Sequence, residues 1–313
     1  MTQVPRILAL WSAPRSRSTA FLRMMAERGD RTVLHEPFSQ LLDFGTTEVA
    51  GREVHSESAL IAAIREESEK GAVFFKDTTD FWYGELLADT AFLRDATHTF
   101  ILRHPAEAIA SHFALNPNLQ RDEIGFARLA EIYDAVHTAT GTDPVVIDSA
   151  DLVTAPAATV RAYCDAVGLP FVPEAVSWDP RMLPDWQRTS RWHEHTGRTT
   201  GFTDLATRYE HTVDNHPLLA EYLRFHLPYY QRLYERRTTQ KSEATETMTA
   251  ETMTGSNSLK IDCPACEGVI KHEDDLVVNE IIECGECRSE LEVVSVEPLL
   301  VALAPEVEED WGE

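Results

Sequence analysis

Through the first half of the chain, short apolar runs alternate with stretches of helical periodicity. Residues 7–11, 32–35, 72–76, 98–103 and 144–148 read as strands. A helix beginning near Ser18, with Phe21, Leu22 and Met25 on one face, and further helices over 59–69, 125–139 and 155–167 fill the spaces between and after them. Such alternation predicts right-handed strand–helix–strand units and a mostly parallel sheet with helices on both faces. From 171 to 209 the periodicity breaks into prolines, Trp178, Trp186 and Trp192, and the cluster Arg188, Arg191, His193, His195 and Arg198. A long irregular stretch of this kind is either a lid or binding loop, or an ordinary surface excursion. A last helix is predicted over 216–237, kinked at Pro228.

The pattern then changes twice. Residues 238–258 are polar, rich in hydroxyls and internally repetitive, and predict a flexible linker with a root-mean-square reach of about 25 Å. Beyond it, 277–283 and 290–297 interleave apolar and acidic residues as half-buried antiparallel strands do. Cys263, Cys266, Cys284 and Cys287 form two Cys-x-x-Cys pairs separated by 17 residues. That spacing reads as a tetrahedral structural zinc site, because a unit this small lacks the apolar core to fold alone. The organisation expected is therefore 1–237, a linker over 238–258, and a small zinc ribbon over 259–313.

Charge sharpens this division. The 313 residues carry a formal charge of −24. Residues 259–313 hold three basic against sixteen acidic residues, a charge of −13, whereas residues 1–237 carry −9. Acidity of this size argues against nucleic-acid and anionic-membrane partners, for the ribbon above all. No signal-peptide pattern or membrane-length apolar run is visible, so a soluble, cytoplasmic protein is expected.

The chemistry concentrates where strands run into helices. After the first strand come Pro14, Arg15, Ser16, Arg17, Ser18 and Thr19, a turn that opens a helix. A helix N-terminus presents unpaired N–H groups and a positive dipole end, and two arginines and three hydroxyls add to both. This is the chemistry of a phosphate- or sulfate-binding loop, without the Gly-x4-Gly-Lys spacing of nucleotide hydrolases. A second strand-to-helix junction places Arg103 at a strand end and Ser111 in the following helix.

Together the two junctions resemble the sulfotransferases that use 3′-phosphoadenosine-5′-phosphosulfate (PAPS), over about residues 5–236. The resemblance implies a P-loop-like α/β fold and makes Arg15, Ser16, Arg17, Ser18 and Thr19 the 5′-phosphosulfate loop. Arg103 and Ser111 stand where the family contacts the 3′-phosphate. Many members carry Lys at the position of Arg15 and Gly at that of Arg17; Arg15 keeps the charge and adds a bidentate fork. The resemblance also suggests that 171–209 covers the adenosine and shapes the acceptor pocket. For the base that accepts a hydroxyl proton, Glu36 is the first choice, with His35, His104 and His193 as rivals. Lys76 is placed to face the sulfuryl group.

The acidic ribbon, ending Glu309-Asp310-Trp311-Gly312-Glu313, resembles the LysW-type amino-group carrier proteins. In that family the side-chain carboxyl of the final glutamate is joined to an amino acid's α-amine, and basic patches on pathway enzymes read the acidic surface. Carried over, Glu313 is the attachment point. The expectation is a sulfotransferase that modifies a hydroxyl of the tethered amino acid, the ester serving as a final decoration or as a leaving group for ring closure. Alternatives are a carrier with a non-catalytic nucleotide-binding domain, a sulfotransferase acting on a free molecule, and a kinase. Whether the tail serves its own subunit or the partner in a homodimer is left open.

Overall fold

The computed structural model describes residues 4–183, 186, 189, 191–192, 194–203, 208–237, 259–262, 269–272, 280–284, 287–296 and 299–303. The chain divides into two compact units, Met1–Ser242 and Glu243–Glu313.

The first unit opens with β1 (Ile7–Ser12), α1 (Ser18–Arg28), β2 (Thr32–His35) and α2 (Pro37–Phe44). A hairpin of β3 (Thr47–Val49) and β4 (Arg52–Val54) follows, turning at Ala50 and Gly51, both with positive φ. Then come α3 (Glu57–Lys70), β5 (Val73–Thr78), α4 (Gly84–Ala88), α5 (Thr90–Asp95) and β6 (Thr97–Leu102). The unit continues through α6 (Pro105–Phe113), α7 (Phe126–Thr140), β7 (Val145–Asp148), α8 (Ser149–Thr154), α9 (Pro156–Val167), α10 (Glu194–Gly197) and α11 (Pro217–Tyr234). Local signals explain many of these boundaries. Helices α2, α6, α9 and α11 begin on proline, whose missing N–H costs nothing in a first turn. The Ser56 side chain caps α3 by accepting from the Ala59 N–H at 3.2 Å.

Five strands form the expected parallel sheet in the order β2-β5-β1-β6-β7. Its side chains alternate between two cores, as parallel strands buried on both faces require. Ala9, Trp11, Phe75 and Phe100 face one core, with α2, α3, α7 and α11 packed on it. Leu8, Leu10, Phe74 and Ile101 face the other, with α1 and α9. Trp178, Trp186 and Phe202 enter this second core, so the irregular 171–209 stretch is anchored by its own apolar residues.

Boundaries differ from the sequence reading by a few residues. The third predicted strand runs on through Asp77 and Thr78, because their neighbours on β1 continue the pairing with Trp11 and Ser12. The fourth ends at Leu102, leaving Arg103 just beyond it. Helix α11 is shorter than predicted and holds Pro228 inside it. The β3–β4 hairpin and the short helices α4, α5, α8 and α10 were not legible, being too short for a periodic signal.

The second unit is all β where it is described: β8 (Leu259–Asp262) pairs antiparallel with β9 (Val269–His272). β10 (Ile281–Glu283), β11 (Glu290–Val296) and β12 (Leu299–Leu303) form an antiparallel sheet. Ile282, Cys284, Leu291 and Val293 make a small core against Val301. The linker 238–258, Cys263, Cys266 and Glu313 lie outside the described residues.

Trp11 is the hub of the first core. It is fully buried, packs at 5.5–5.9 Å against Phe38, Phe75 and Tyr83, and donates from Nε1 to His98 Nδ1 at 2.9 Å. Trp11→Ala is expected to destabilise the first unit by about 3–5 kcal/mol in a denaturant titration. Trp11→Phe keeps most of the volume but strands the His98 nitrogen, and should cost about 1–3 kcal/mol.

Candidate functional site

The carboxyl ends of the parallel strands carry the site, the edge at which open α/β sheets place ligands. Between β1 and α1, Arg15 (φ 66°) and Arg17 (φ 62°) both adopt the left-handed conformation. Non-glycine residues rarely do so, and such strain collects at functional loops. Arg17 occupies the N-cap position of α1 but makes no side-chain cap there. Ser12 Oγ donates to Ser18 Oγ at 2.8 Å. The buried hydroxyl of Ser16 has no hydrogen-bond partner among the described residues, an orphan that a ligand oxygen would satisfy.

The two predicted motifs meet directly. Arg15 donates from Nε to Ser111 Oγ at 3.1 Å and from an Nη to the Trp192 carbonyl at 3.0 Å, with its guanidinium over the Trp192 ring. Arg103 donates to the Arg15 carbonyl at 3.0 Å and pairs with Glu107 at 2.9 Å. Burial lowers the Arg15 pKa, opposed chiefly by Tyr209, so an anion beside it would relieve a desolvated charge.

Glu36 follows β2 and sits at the N-cap of α2, again left-handed at φ 49°. Its N–H donates to the Lys76 carbonyl at 2.7 Å, and its carboxylate is paired with the buried Lys76 ammonium. Lys76 thereby fixes where that carboxylate stands. His35 Nε2 lies 3.7 Å from Glu36 Oε1, but burial pushes the His35 pKa down to about 4. His104 is an N-cap: its Nδ1 accepts from the Ala106 N–H at 3.3 Å, and its ring packs on Tyr230. His193 lies outside the described residues.

One cavity of about 570 Å³ is lined by Arg15, Ser16, Arg17, Ser18, Thr19, Arg103, Ser111, Glu36 and Lys76 together. The anion-loop residues, Arg103, Ser111, Glu36 and Lys76 are therefore in one place, at a size suited to a nucleotide-scale ligand, whereas the rival bases His35 and His104 do not line it. The irregular stretch contributes as well: Trp192, Thr196, Thr199, Phe202 and Arg208 line the same cavity.

Some lining residues were missed. His112 reaches the cavity from α6, its pKa pushed down to about 3 by burial and then by Arg15 and Arg191. Asp80 also lines it, its carboxyl raised to about 6 by burial and then by Glu36. Beneath them, burial raises Asp77 to about 7. The run Lys76-Asp-Thr-Thr-Asp80 at a strand end was the available signal, but only packing shows that these side chains converge.

In the second unit, Cys284 is buried and Cys287 exposed. The Cys284 N–H donates to the Ser289 carbonyl at 2.9 Å, and its carbonyl accepts from the Arg288 N–H at 2.8 Å. Two thiols three positions apart in sequence fit half of a four-cysteine zinc site. Among the described residues no group of three or more metal-ligating side chains occurs.

With this geometry in place, comparison with known proteins assigns both parts. Residues 5–237 match the family model described as a sulfotransferase domain, and the chain belongs to that family. Residues 261–306 match the globular domain of LysW-like alpha-aminoadipate carrier proteins, so the sulfotransferase domain is fused to a LysW-like zinc-ribbon domain. Branched-chain-amino-acid aminotransferase-like protein 2 of Arabidopsis thaliana is 26% identical over 208 residues, 63% of this chain and 36% of that protein. The chain thus spans little more than a third of that relative's length. The alpha-aminoadipate/glutamate carrier protein LysW of Saccharolobus solfataricus is 43% identical over 56 residues, 18% of this chain and 98% of the carrier. A crystal structure of a sulfotransferase from Alicyclobacillus acidocaldarius is 18% identical, with 64% of this chain and 97% of that chain covered and a TM-score of 0.36.

The buried titratable groups predict an acid response. His35, His98 and His226 are pushed down to about 4 by burial, and His112 to about 3. Below about pH 6.5 the unfolded chain binds their protons before the folded one does, so these groups weaken the fold as pH falls. Asp77 and Asp80, with raised values, act in the opposite sense over about pH 4–7. Burial also raises Asp148 and Glu57, but less far, and the four histidines, held at about 3 to 4, outweigh these acids. The thermal midpoint of the first unit should therefore drop as pH is lowered from 6.5 toward 4, as its stability falls by ~1.4 kcal/mol per pH unit for each uncompensated proton. A midpoint that rises on acidification would contradict these assignments.

Proposed function

We propose that the first unit transfers a sulfuryl group from PAPS to a hydroxyl of an amino acid joined through its α-amine to the Glu313 side chain. The observation that carries this reading is the single cavity uniting Arg15, Arg103, Ser111 and the unpartnered Ser16 hydroxyl with the Glu36–Lys76 pair. The first group fits the phosphates of a donor nucleotide: left-handed arginines turn the loop at a helix N-terminus, and a buried hydroxyl awaits an acceptor atom. PAPS, when bound, supplies the sulfuryl group and leaves as the 3′,5′-bisphosphate.

The chain's own residues then have distinct tasks. Glu36 takes the proton of the acceptor hydroxyl as its oxygen bonds to sulfur and the bond from sulfur to the 5′-phosphate oxygen breaks. Lys76 holds the Glu36 carboxylate in place and stands beside the charge that develops on the transferring group. Arg15 and the loop N–H groups neutralise the departing phosphate, and Arg103 with Ser111 holds the 3′-phosphate. Asp43 and Asp80 line the same cavity, and their charge suits an acceptor that also carries an amine. Displacement of the sulfate ester by that amine would close a ring, a role suited to specialised-metabolite biosynthesis.

Tethering supports the reading on physical grounds. Amide formation at the α-amine removes a competing nucleophile, and a linked acceptor reaches local concentrations of order millimolar. The ribbon would hold structural zinc through Cys263, Cys266, Cys284 and Cys287, and its −13 charge would be read by basic patches on other enzymes of the pathway. A cytoplasmic location fits this chemistry; among the described residues no helix is long and apolar enough to cross a membrane.

Intact-protein mass spectrometry tests the proposal on the chain co-expressed with its neighbouring pathway enzymes. An amino-acid adduct at Glu313 that gains one sulfuryl mass on incubation with PAPS is the expected result. An adduct that never gains it, in a chain that binds donor nucleotide, would make the protein a carrier with a docking domain. Sulfonation of a free molecule with no adduct would return the tail to a plain acidic terminus. Arg15→Ala should slow transfer by about a hundredfold or more and weaken donor binding. Treatment with a strong chelator should unfold the second unit and release one zinc, while the first unit keeps its melting transition.

A further inference from the structure

Helix α2 carries Glu36 at its head but is capped from elsewhere. Its N-cap residue makes no side-chain capping bond, since the Glu36 carboxylate is committed to Lys76. Pro37 has no N–H, so the first donors needing partners are the Phe38 and Ser39 amides. Asp77 takes both: Oδ2 accepts from the Phe38 N–H at 2.6 Å and Oδ1 from the Ser39 N–H at 3.1 Å. Oδ1 also accepts from Ser39 Oγ at 2.6 Å and from its neighbour Thr78 N–H at 2.9 Å. Tyr83 completes the cluster, its hydroxyl donating to the Thr78 carbonyl at 2.6 Å and lying 2.9 Å from Ser39 Oγ. Asp77, Ser39, Thr78 and Tyr83 are all buried.

A carboxylate that receives only donors is an acceptor on every side, the arrangement normally supplied by an aspartate at the N-cap itself. Here it comes from strand β5. Consecutive residues of that strand thus grip the head of α2 twice: Lys76 by the Glu36 carboxylate and Asp77 by the helix backbone one turn behind it. Glu36 sits in a left-handed conformation that an unrestrained glutamate seldom adopts. The Asp77 cap is what the backbone on its far side is tied to.

We propose that Asp77 is a positioning residue for sulfuryl transfer, fixing the Glu36 carboxylate over Lys76 by capping α2 from the neighbouring strand. The inference rests on the reading of Glu36 as the base. It makes an error of a fraction of an ångström at α2 a loss of rate with no loss of donor affinity, because the anion loop is anchored separately on β1 and α1.

The test uses the full chain bearing its amino-acid adduct. Single-turnover transfer from PAPS is followed by intact mass, and binding of 3′-phosphoadenosine-5′-phosphate by calorimetry, for Asp77→Asn, Glu36→Gln and the double variant. Asp77→Asn is expected to slow transfer by ~10-fold or more with the nucleotide Kd changed by less than about threefold, and to add nothing in the Glu36→Gln background. Losses that multiply in the double variant, or a nucleotide affinity that falls with the rate, would mean a merely structural role. Wild-type speed in Asp77→Asn beside a slow Glu36→Gln would overturn this inference alone. Wild-type speed in Glu36→Gln would remove the base assignment and the inference with it. Should Asp77→Asn fail to fold, Ser39→Ala removes one bond of the same clamp and is expected to slow transfer several-fold at unchanged nucleotide affinity; an unaltered rate would overturn the proposal.

Discussion

Everything at the site depends on the parallel pairing of β1 with β5, in which Leu10, Trp11 and Ser12 stand opposite Lys76, Asp77 and Thr78. That register brings the anion loop, which leaves β1, beside the residues that govern Glu36. The pairing continues past the strands: the Thr79 N–H donates to the Ser12 carbonyl at 3.0 Å. A slip of one residue would turn Lys76 away from Glu36 and push Asp77 out of reach of α2, since side chains alternate along a strand. The sheet tolerates no such slip, because Ala9, Trp11 and Phe75 on one face and Leu8, Leu10 and Phe74 on the other are all fully buried.

The site is also where the fold spends stability. Arg15, Lys76 and Asp77 are charged groups in or against the core, and Arg15, Arg17 and Glu36 hold left-handed backbones. Burying charge is costly unless each group is paired, and here nearly every cost is met by a specific partner. Lys76 has Glu36, Asp77 has three backbone amides and a hydroxyl, and Arg15 has Ser111 and a carbonyl. In the Arg15–Thr19 loop the buried Ser16 hydroxyl has no hydrogen-bond partner among the described residues. Beside a helix N-terminus and two arginines, such a hydroxyl is one that a ligand oxygen would satisfy.

A sulfotransferase domain and a carrier-type ribbon on one chain make chemical sense together. Under the proposed reaction the transferase would need an acceptor hydroxyl presented singly, with competing nucleophiles out of the way. Attachment through the α-amine would provide that. The charge asymmetry would serve the same end, because a ribbon at −13 would stay recognisable to basic partner surfaces after the proposed sulfuryl step.

What the sequence determined alone was the architecture and its chemical content. Alternating apolar runs required a parallel sheet buried on both faces. The Arg15–Thr19 turn read as an anion loop, Arg103 and Ser111 as a second contact, and the cysteine spacing as a zinc ribbon. These are local signals, carried by residues close together along the chain. Tertiary structure alone decided the rest. Arg15 meets Ser111 across 96 positions, and Asp77 caps a helix 39 positions away. His112, Asp80 and Trp192 join the cavity only because α6, β5 and the irregular stretch converge at one sheet edge. Such contacts are set by which backbones lie side by side and in what register, and a linear pattern of apolar and polar residues carries no direct record of either.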